Sequence, residues 1–361
     1  PETWDIFCNV IDNYGDIGVS WRLARQLANE YGLKVRLWVD DLPSFCRLCH
    51  AGRMVEIQHC KGVEVRRWTQ DFPEVEPGSV VIESFGCALP EAYVRKMAQM
   101  AEKPVWINLE YLSAEGWVKD CHLLPSPRPP LVKYFFFPGF FPDTGGLLLE
   151  KGLFERRDAF DKRNFWRKLG IDPEGALAVS LFCYENSALE RLLQTWVMGV
   201  EKVLCLVPEG KTVHGVKAFF GSDGDSFSRG NLEARVIPFV EQEEYDYLLW
   251  ACDINFVRGE DSFVRAQWAG KPFVWQIYPQ DEEAHLKKLE AFVSLYCRDL
   301  PGPAAEALHR LWRGWNGGME DGWGGFLNFR SVLDVHAGAW AEKLSGNNLA
   351  FNLLDFCRGK G

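Results

Sequence analysis

The stretch Asp12-Asn13-Tyr14-Gly15-Asp16-Ile17-Gly18 joins an apolar run at residues 4–11 to a segment where Val19, Leu23, Leu27 and Tyr31 recur at helical spacing. The apolar run, bounded by turn-forming residues, reads as a buried parallel strand. The quoted stretch is therefore a strand–turn–helix connection. In open α/β sheets, a turn at the carboxyl end of a strand is where ligands bind. Gly15 and Gly18 are expected to let the backbone bend sharply and to leave space for a ligand. Asp12 and Asp16 bring negative charge, which a nucleotide-binding turn would avoid because carboxylate repels phosphate. The turn suits a cation or a proton abstraction, and not a pyrophosphate.

Working outward, the same alternation continues. Strands are expected at 34–40, 55–60, 63–68, 80–85 and 105–109, and helices at 42–51 and 90–101, which argues for a parallel sheet covered on both faces. Residues 124–146 break the pattern with Pro125, Pro127, Pro129 and Pro130 and the aromatic run Lys133-Tyr134-Phe135-Phe136-Phe137-Pro138-Gly139-Phe140-Phe141. Core packing is the preferred reading of that run over the lining of an acceptor cleft.

A second alternating unit follows a charged helix at 156–169. Its strands are expected at 176–183, 202–207, 232–240, 253–257 and 272–277, and its helices at 186–198, 241–250 and 260–269, with a solvated loop at 222–230. Helices at 281–293, 303–315 and 337–357 complete the chain. Two consecutive α/β units suggest two Rossmann-like domains facing across a cleft, the GT-B glycosyltransferase architecture. The expected division is 1–150, carrying the acidic turn and the acceptor, and 151–361, carrying the nucleotide sugar, with the final helix free to pack back on the first domain.

The 361 residues fit two domains. A formal charge of −10 argues against nucleic-acid binding through the bulk surface. No apolar run is long enough to span a bilayer and no leader pattern opens the sequence, so a cytoplasmic protein is expected. Eleven cysteines lie scattered without a repeated framework, as buried thiols do in a reducing compartment. Cys46-Arg47-Leu48-Cys49-His50 matches a haem-attachment pattern, but it falls in an amphipathic segment of the α/β alternation with no export signal, and buried thiols are the preferred reading. The histidines are dispersed, and no metal-ligand cluster stands out.

A second constellation follows the strand expected at 253–257: Arg258-Gly259-Glu260-Asp261-Ser262-Phe263. Gly259 permits a turn. Arg258 offers a planar bidentate cation to phosphate oxygens. The first backbone N–H groups of the next helix, around Glu260 to Ser262, make an anion site. Glu260 and Asp261 fit beside a diphosphate only if their side chains turn away; alternatively, both acids simply complement the helix dipole. Phe182, Tyr184 and Phe239 end strands of this unit and either stack on a nucleobase or pack. Asn186 is expected to cap a helix. Gln276 and Tyr278, ending another strand, can reach the cleft.

These blocks resemble the EarP family of bacterial protein-arginine rhamnosyltransferases. The resemblance is carried by residues 12–27, by Thr144-Gly145-Gly146-Leu147-Leu148, by Phe256-Val257-Arg258-Gly259-Glu260-Asp261-Ser262-Phe263 and by Gln276-Ile277-Tyr278-Pro279-Gln280, and so extends over essentially the whole chain. It implies a GT-B enzyme that moves rhamnose from dTDP-β-L-rhamnose to one arginine of translation elongation factor P, with inversion and without a metal or other cofactor. It further implies Asp16 as catalytic base, Asp12 as a second essential acid, and a contribution of Glu260 to turnover. Phe182, Tyr184, Phe239, Arg258, Glu260, Asp261 and Ser262 would bind the donor. Asn13, Tyr14, Gly15, Asn186, Gly259, Gln276 and Tyr278 join the candidate substrate-binding residues. The chemistry is coherent: an arginine side chain is protonated at any ordinary pH and is a poor nucleophile, so a carboxylate must orient it and take a proton as the C–N bond forms. A capping role for Asp16 and a turn-stabilising role for Asp12 remain as alternatives. So do a GT-B enzyme with a small-molecule or glycolipid acceptor and a non-catalytic nucleotide-sugar or partner-binding protein.

Overall fold

The computed structural model describes residues 2–12, 14–279, 284–319 and 321–360. Asn13, a candidate above, lies outside the described residues, as does Gln280 of the fourth family segment. The chain divides into two compact units, Pro1–Lys151 with Leu344–Gly361, and Gly152–Lys343.

The first unit is built on β1 (Thr3–Cys8), followed by α1 (Gly15–Tyr31), β2 (Lys34–Val39), α2 (Leu42–Leu48), the hairpin β3 (Ile57–Cys60) and β4 (Val63–Arg67), β5 (Val80–Ser84), α3 (Glu91–Gln99), β6 (Val105–Leu109), α4 (Val118–Cys121), β7 (Pro125–Arg128) and β8 (Leu131–Phe136). The sheet runs β3-β4-β2-β1-β5-β6-β8-β7, antiparallel only at its two edge hairpins. From β1 the chain goes first to β2 on one side and later to β5 on the other, which makes the carboxyl end of β1 and β5 the topological switch point. Phe7 and Trp38 stack with ring centroids 5.7 Å apart in the core against Tyr93 and Met97, and burial of each such ring contributes roughly 1.5–3 kcal/mol. A fully buried carboxylate, Asp5, ties the other end of this sheet. It accepts from Arg36, from Trp38 Nε1 at 3.0 Å, from the Gly78 N–H at 2.7 Å and from the Tyr93 hydroxyl at 2.5 Å.

The aromatic run of the sequence forms most of β8, parallel to β6, and Pro125 and Pro127 lie in β7, with Pro129 and Pro130 in the turn between the two strands, where the sequence had suggested only punctuation. Proline is tolerated there because β7 is an edge strand that need not donate on its outer side.

The second unit contains α5 (Leu153–Asp158), α6 (Lys162–Leu169), β9 (Leu177–Leu181), α7 (Leu189–Met198), β10 (Val203–Pro208), α8 (Lys211–Phe220), β11 (Ser226–Arg229), β12 (Leu232–Ile237), α9 (Gln242–Ala251), β13 (Ile254–Arg258), α10 (Asp261–Ala269), β14 (Phe273–Gln276), α11 (Ala284–Tyr296), α12 (Gly302–Trp315), α13 (Trp323–Asn328) and α14 (Arg330–Leu344). Its sheet order, β11-β12-β10-β9-β13-β14, again reverses beside its first strand, between β9 and β13. Several elements differ from expectation: α8 and α13 are additional to the expected helices, and the helix expected at 337–357 is divided between α14 and α15 (Leu349–Arg358). The single charged helix is split at residues 159–161, where the Asp161 side chain accepts from the Asn164 N–H and starts α6 anew. The loop at 222–230 contains β11, an edge strand whose polar residues face outward.

The chain ends in α15 (Leu349–Arg358), which belongs with the first unit. Residues 345–348 separate it from α14, and the Asn348 side chain caps it by accepting from the Ala350 and Phe351 N–H groups. The family segment Thr144-Gly145-Gly146-Leu147-Leu148 is its dock. The Leu349 N–H donates to the Leu147 carbonyl at 2.9 Å and the Leu147 N–H donates to that of Asn347 at 3.1 Å. Both glycines are required by close approach: a Cβ on Gly146, itself at φ +77°, would stand 2.3 Å from the Asn347 carbonyl oxygen, and one on Gly145 2.4 Å from the Phe136 ring.

Candidate active site

Each unit places charged residues at its switch point. In the first, the turn after β1 carries Asp12, 7% exposed, and Asp16, 1% exposed. Asp16 lies in the first turn of α1, but it does not cap that helix. The N-cap position is Tyr14, which makes no side-chain cap. The Asp16 carboxylate instead reaches back across the turn. Its Oδ2 accepts from the Ile11 N–H at 2.8 Å and the Asp12 N–H at 2.9 Å, and its Oδ1 accepts from the Tyr111 hydroxyl at 3.0 Å. Hydrogen bonds to a charged group are worth roughly 1.5–3 kcal/mol each, enough to hold a buried carboxylate in one orientation.

Gly15 has a role beyond the one expected of it. Its backbone needs no positive φ. A Cβ there would sit 2.5 Å from Asp12 Oδ2, so the missing side chain makes room for the Asp12 carboxylate. Tyr14 is held sideways, its hydroxyl accepting from Arg47 of α2 at 3.0 Å. In the Cys-x-x-Cys-His stretch, Cys46 lies 4.0 Å from the Met54 sulfur, whereas Cys49 is buried with its Sγ 3.1 Å from that of Cys60. The two thiols thus face different neighbours, which does not suit haem attachment. Thiols near the acidic turn are kept protonated. Burial, with the Asp16 charge behind it, pushes Cys8 well up, and burial with Glu83 pushes Cys87 up to about 12. Neither supplies a thiolate nucleophile.

Sequence reasoning missed Tyr111 and its neighbour Phe85. Their rings stack with centroids 4.4 Å apart and planes 16° from parallel. Phe85 leaves β5 at φ +57°, its N–H donating to the Leu109 carbonyl at 2.7 Å, and Tyr111 follows β6. The signal available was positional: Phe85 is the last residue of the strand expected at 80–85, and Tyr111 stands just past the one expected at 105–109.

In the second unit, β13 ends at Arg258, 5% exposed, and Gly259 turns the chain at φ +64° into α10. The Trp275 Nε1–H donates to the Gly259 carbonyl at 2.9 Å and fixes that turn. The Arg258 guanidinium carbon lies 4.5 Å from the Phe182 ring centroid and 4.4 Å from that of Tyr184. Two cation–π contacts of this kind, each worth about 2 kcal/mol when shielded from water, set the plane of the fork. These two rings therefore support the cation, a role the sequence reading did not give them. Tyr184 in turn packs edge-on against Tyr278 at 5.5 Å, and its N–H donates to Gln276 Oε1 at 2.8 Å. Phe182, Tyr184, Arg258, Gln276 and Tyr278 thus form one cluster over the ends of β9, β13 and β14.

Asp261 opens α10, and Oδ2 of its carboxylate accepts from Gln242 Nε2 of α9 at 2.9 Å, which turns it toward that helix. Glu260 is the N-cap residue but makes no side-chain cap, and Ser262 stands in the first turn. Tyr245, also on α9, packs 5.9 Å from Phe182; burial, reinforced by Asp261, pushes its hydroxyl up and keeps it neutral. Gln242 and Tyr245 are a second omission, since nothing in a helix of mixed polarity marks the face turned to a neighbouring turn. Phe239 follows β12 and is half-buried. Asn186 does not cap a helix: α7 begins three residues later, and the Asn186 side chain braces the loop, donating to the Trp315 carbonyl at 2.9 Å and accepting from the Ala188 N–H at 2.8 Å.

An acidic turn and a cationic helix start, each at the switch point of a parallel-dominated sheet in its own α/β unit, describe a glycosyltransferase of the GT-B class. The solved structure of MurG from Acinetobacter baumannii, 12% identical, shares this fold over 99% of the chain and 100% of its own, with a TM-score of 0.53. A second solved structure, described as the structural basis for EarP-mediated arginine glycosylation of translation elongation factor EF-P, is 37% identical with a TM-score of 0.72 and full coverage of both chains. Residues 4–358 match the family described as elongation-factor P (EF-P) rhamnosyltransferase EarP. Protein-arginine rhamnosyltransferases from Pseudomonas putida and Pseudomonas aeruginosa are 49% and 47% identical, over 99% and 98% of this chain and 98% of each relative. The chain belongs to the EarP family of protein-arginine rhamnosyltransferases.

Among the described residues no helix is long and apolar enough to cross a membrane.

Proposed function

We propose that this enzyme transfers L-rhamnose from dTDP-β-L-rhamnose to an arginine side chain of translation elongation factor P, with inversion at the anomeric carbon. Asp16 is the catalytic base. A guanidinium nitrogen attacks the anomeric carbon, the bond from that carbon to the diphosphate oxygen breaks with its electron pair leaving on dTDP, and a proton of the attacking nitrogen passes to the Asp16 carboxylate. Asp12 supplies a second negative charge for the cationic acceptor. The observation that carries this reading is a buried carboxylate held by three donors at the switch point of the first sheet.

On the donor side, Arg258 and the first N–H groups of α10 receive the diphosphate and stabilise the charge that develops on it as it leaves. Phe182 and Tyr184 fix the Arg258 fork, and Phe239 offers a ring for the thymine. Ser262 and Glu260 lie where phosphate or sugar hydroxyls would be met. Gly259 makes the turn on which all of these depend, while Asp261, turned to Gln242, is kept from opposing the phosphates. Gln276 and Tyr278 hold the Tyr184 side of the cluster. No metal or cofactor is part of this proposal, and a translation factor as acceptor places the reaction in the cytoplasm.

The test is incubation with dTDP-β-L-rhamnose and purified elongation factor P, read by intact mass. The expected outcome is the gain of one deoxyhexose on the factor, lost when its acceptor arginine is changed to lysine. An unmodified factor under conditions where the enzyme binds dTDP overturns the acceptor assignment.

A further inference from the structure

The Asp16 carboxylate offers about four lone-pair sites, two on each oxygen. Both sites of Oδ2 are used by the Ile11 and Asp12 N–H groups, and one site of Oδ1 is used by the Tyr111 hydroxyl. Among the described residues, one acceptor site on Oδ1 remains. We propose, on the reading that Asp16 is the base, that Tyr111 is a positioning residue for the transfer: by binding one side of Oδ1 it aims the remaining lone pair at a single N–H of the acceptor guanidinium.

Two consequences follow from the counting. Asp16 engages the acceptor through one oxygen and one N–H, because a two-pronged grip would need Oδ2, whose sites face the backbone. The remaining donors of the guanidinium fork then need another acceptor, and Asp12, packed against Gly15, is the carboxylate nearest in the chain. Division of labour between the two acids accounts for the turn having both: one receives the proton, the other holds charge.

Tyr111 is itself well placed to be a fixed donor. Its ring lies flat on Phe85. Phe85 is locked in a left-handed conformation that a bulky residue adopts only where its surroundings impose it, and the next residue, Gly86, donates its N–H to Asn108 Oδ1 at 3.1 Å. The strained corner after β5 thus supports the ring, the ring orients the hydroxyl, and the hydroxyl orients Oδ1. The members follow β5, β6 and β1, which are three consecutive strands of the sheet with β5 in the middle.

Tyr111→Phe tests the assignment, since it keeps the stacked ring and removes only the hydroxyl. The full-length variant is assayed with dTDP-β-L-rhamnose and elongation factor P, alongside Asp16→Asn and Phe85→Leu. We expect kcat to fall about tenfold in Tyr111→Phe, as for one lost hydrogen bond to a charged group, with KM for the factor and Kd for dTDP within about twofold of the unaltered enzyme. Phe85→Leu, which leaves the hydroxyl but loosens the ring, should lower kcat by about threefold with the same unchanged binding. An unaltered kcat in Tyr111→Phe, or a raised KM with kcat intact, overturns the inference, the latter because Tyr111 would then only line the acceptor site. If Asp16→Asn is inactive while Tyr111→Phe is fully active, the base assignment stands and this inference alone falls. If Asp16→Asn turns over normally, both fall. Melting curves for each variant separate lost folding from lost positioning.

Discussion

The two switch points of the molecule are built on the same plan and hold key groups of opposite charge, Asp16 in one and Arg258 in the other. In the first unit, a turn leaves the central strand β1 and enters a helix whose opening residues include a carboxylate. In the second, a turn leaves β13, beside the central strand β9, and enters a helix immediately after a guanidinium. Each charge is fixed by its neighbours, but by different means. Asp16 is held by hydrogen-bond donors, two of them backbone N–H groups of its own turn, whereas Arg258 is held by the rings of Phe182 and Tyr184. The difference follows from what each group must leave available. A carboxylate fixed by N–H groups keeps a lone pair for a proton. A guanidinium between ring faces has the plane of its fork set by them. On the function proposed above, the same fold supplies a base in one unit and an anion site in the other without a change of topology.

If that comparison is right, removing each charge should affect a different property. Asp16→Asn keeps the shape of the turn and removes the negative charge; with the amide oxygen at the Oδ2 position both backbone N–H pairings are kept, and the NH2 group faces the Tyr111 hydroxyl, which can accept. Transfer to elongation factor P should fall by about 10²–10⁴, the usual contribution of a positioned general base. Affinity for dTDP, measured by calorimetry, should be unchanged. A variant that loses donor binding to the same degree as turnover would show that the two turns do not divide the work.

The complementary change is Arg258→Ala. It removes the fork from the cluster and leaves Phe182 and Tyr184 without the cation between β9 and β13. We expect dTDP to bind more weakly by about 1.5–3 kcal/mol, the value of a charge-assisted hydrogen bond, while the factor still binds to the variant. Calorimetry with dTDP gives the first number, and a pull-down with the factor checks the second. The contrast between the turns is lost if acceptor binding falls with donor binding. Phe182→Leu should produce a weaker form of the same defect, because the fork is then present but less well held.

Much of this was legible in the sequence, and the particular misses are instructive. The strand–turn–helix reading of residues 4–31 held because a strand buried on both faces is a continuous apolar run, and helical spacing starts within a turn of its end. The charged residues of both turns could be read from type and place alone. What could not be read was which neighbour fixes them. Tyr111 meets Asp16 across a separation of 95 residues, and Gln242 meets Asp261 through the facing of two helices. Such pairings depend on sheet order, which one-dimensional periodicity does not carry. Gly15 shows the same limit. Its presence in the turn was noted, but only coordinates reveal that the space it leaves is filled by Asp12. The strand β7 was hidden for another reason: proline is a poor strand former except at an edge, and the edge is defined only once the sheet is assembled.

Gly15→Ala sharpens the comparison on the acidic side. Alanine at the first position of α1 favours the helix intrinsically by up to about 1 kcal/mol over glycine. The new methyl group, however, would stand 2.5 Å from Asp12 Oδ2 and drive that carboxylate from its seat. We expect a melting temperature equal to or above that of the unaltered enzyme and transfer lowered by about 1–2 kcal/mol, as for one displaced polar contact. Stability and activity then move in opposite directions, which a general disturbance of folding would not produce. A fully active variant would mean that the place of the Asp12 carboxylate is immaterial.

The smallest effect is expected where the cationic turn contains an acid. Asp261 stands in the first turn of α10, close to where a diphosphate would bind, and its carboxylate is drawn toward α9 by Gln242. Gln242→Leu preserves the buried volume roughly and removes that donor. The freed carboxylate regains access to the helix start, where it competes with phosphate for the same N–H groups and repels it. We expect dTDP binding to weaken by about 0.2–1 kcal/mol, the range for one solvent-screened charge interaction. The sign identifies the cause. Adding Asp261→Asn to Gln242→Leu should restore part of the affinity, because the released side chain is then uncharged. If Asp261 instead contacts the donor directly, the second substitution should weaken binding further. A double-mutant cycle by calorimetry separates the two outcomes, and restoration would show that the acid is tolerated in an anion site because Gln242 holds it aside.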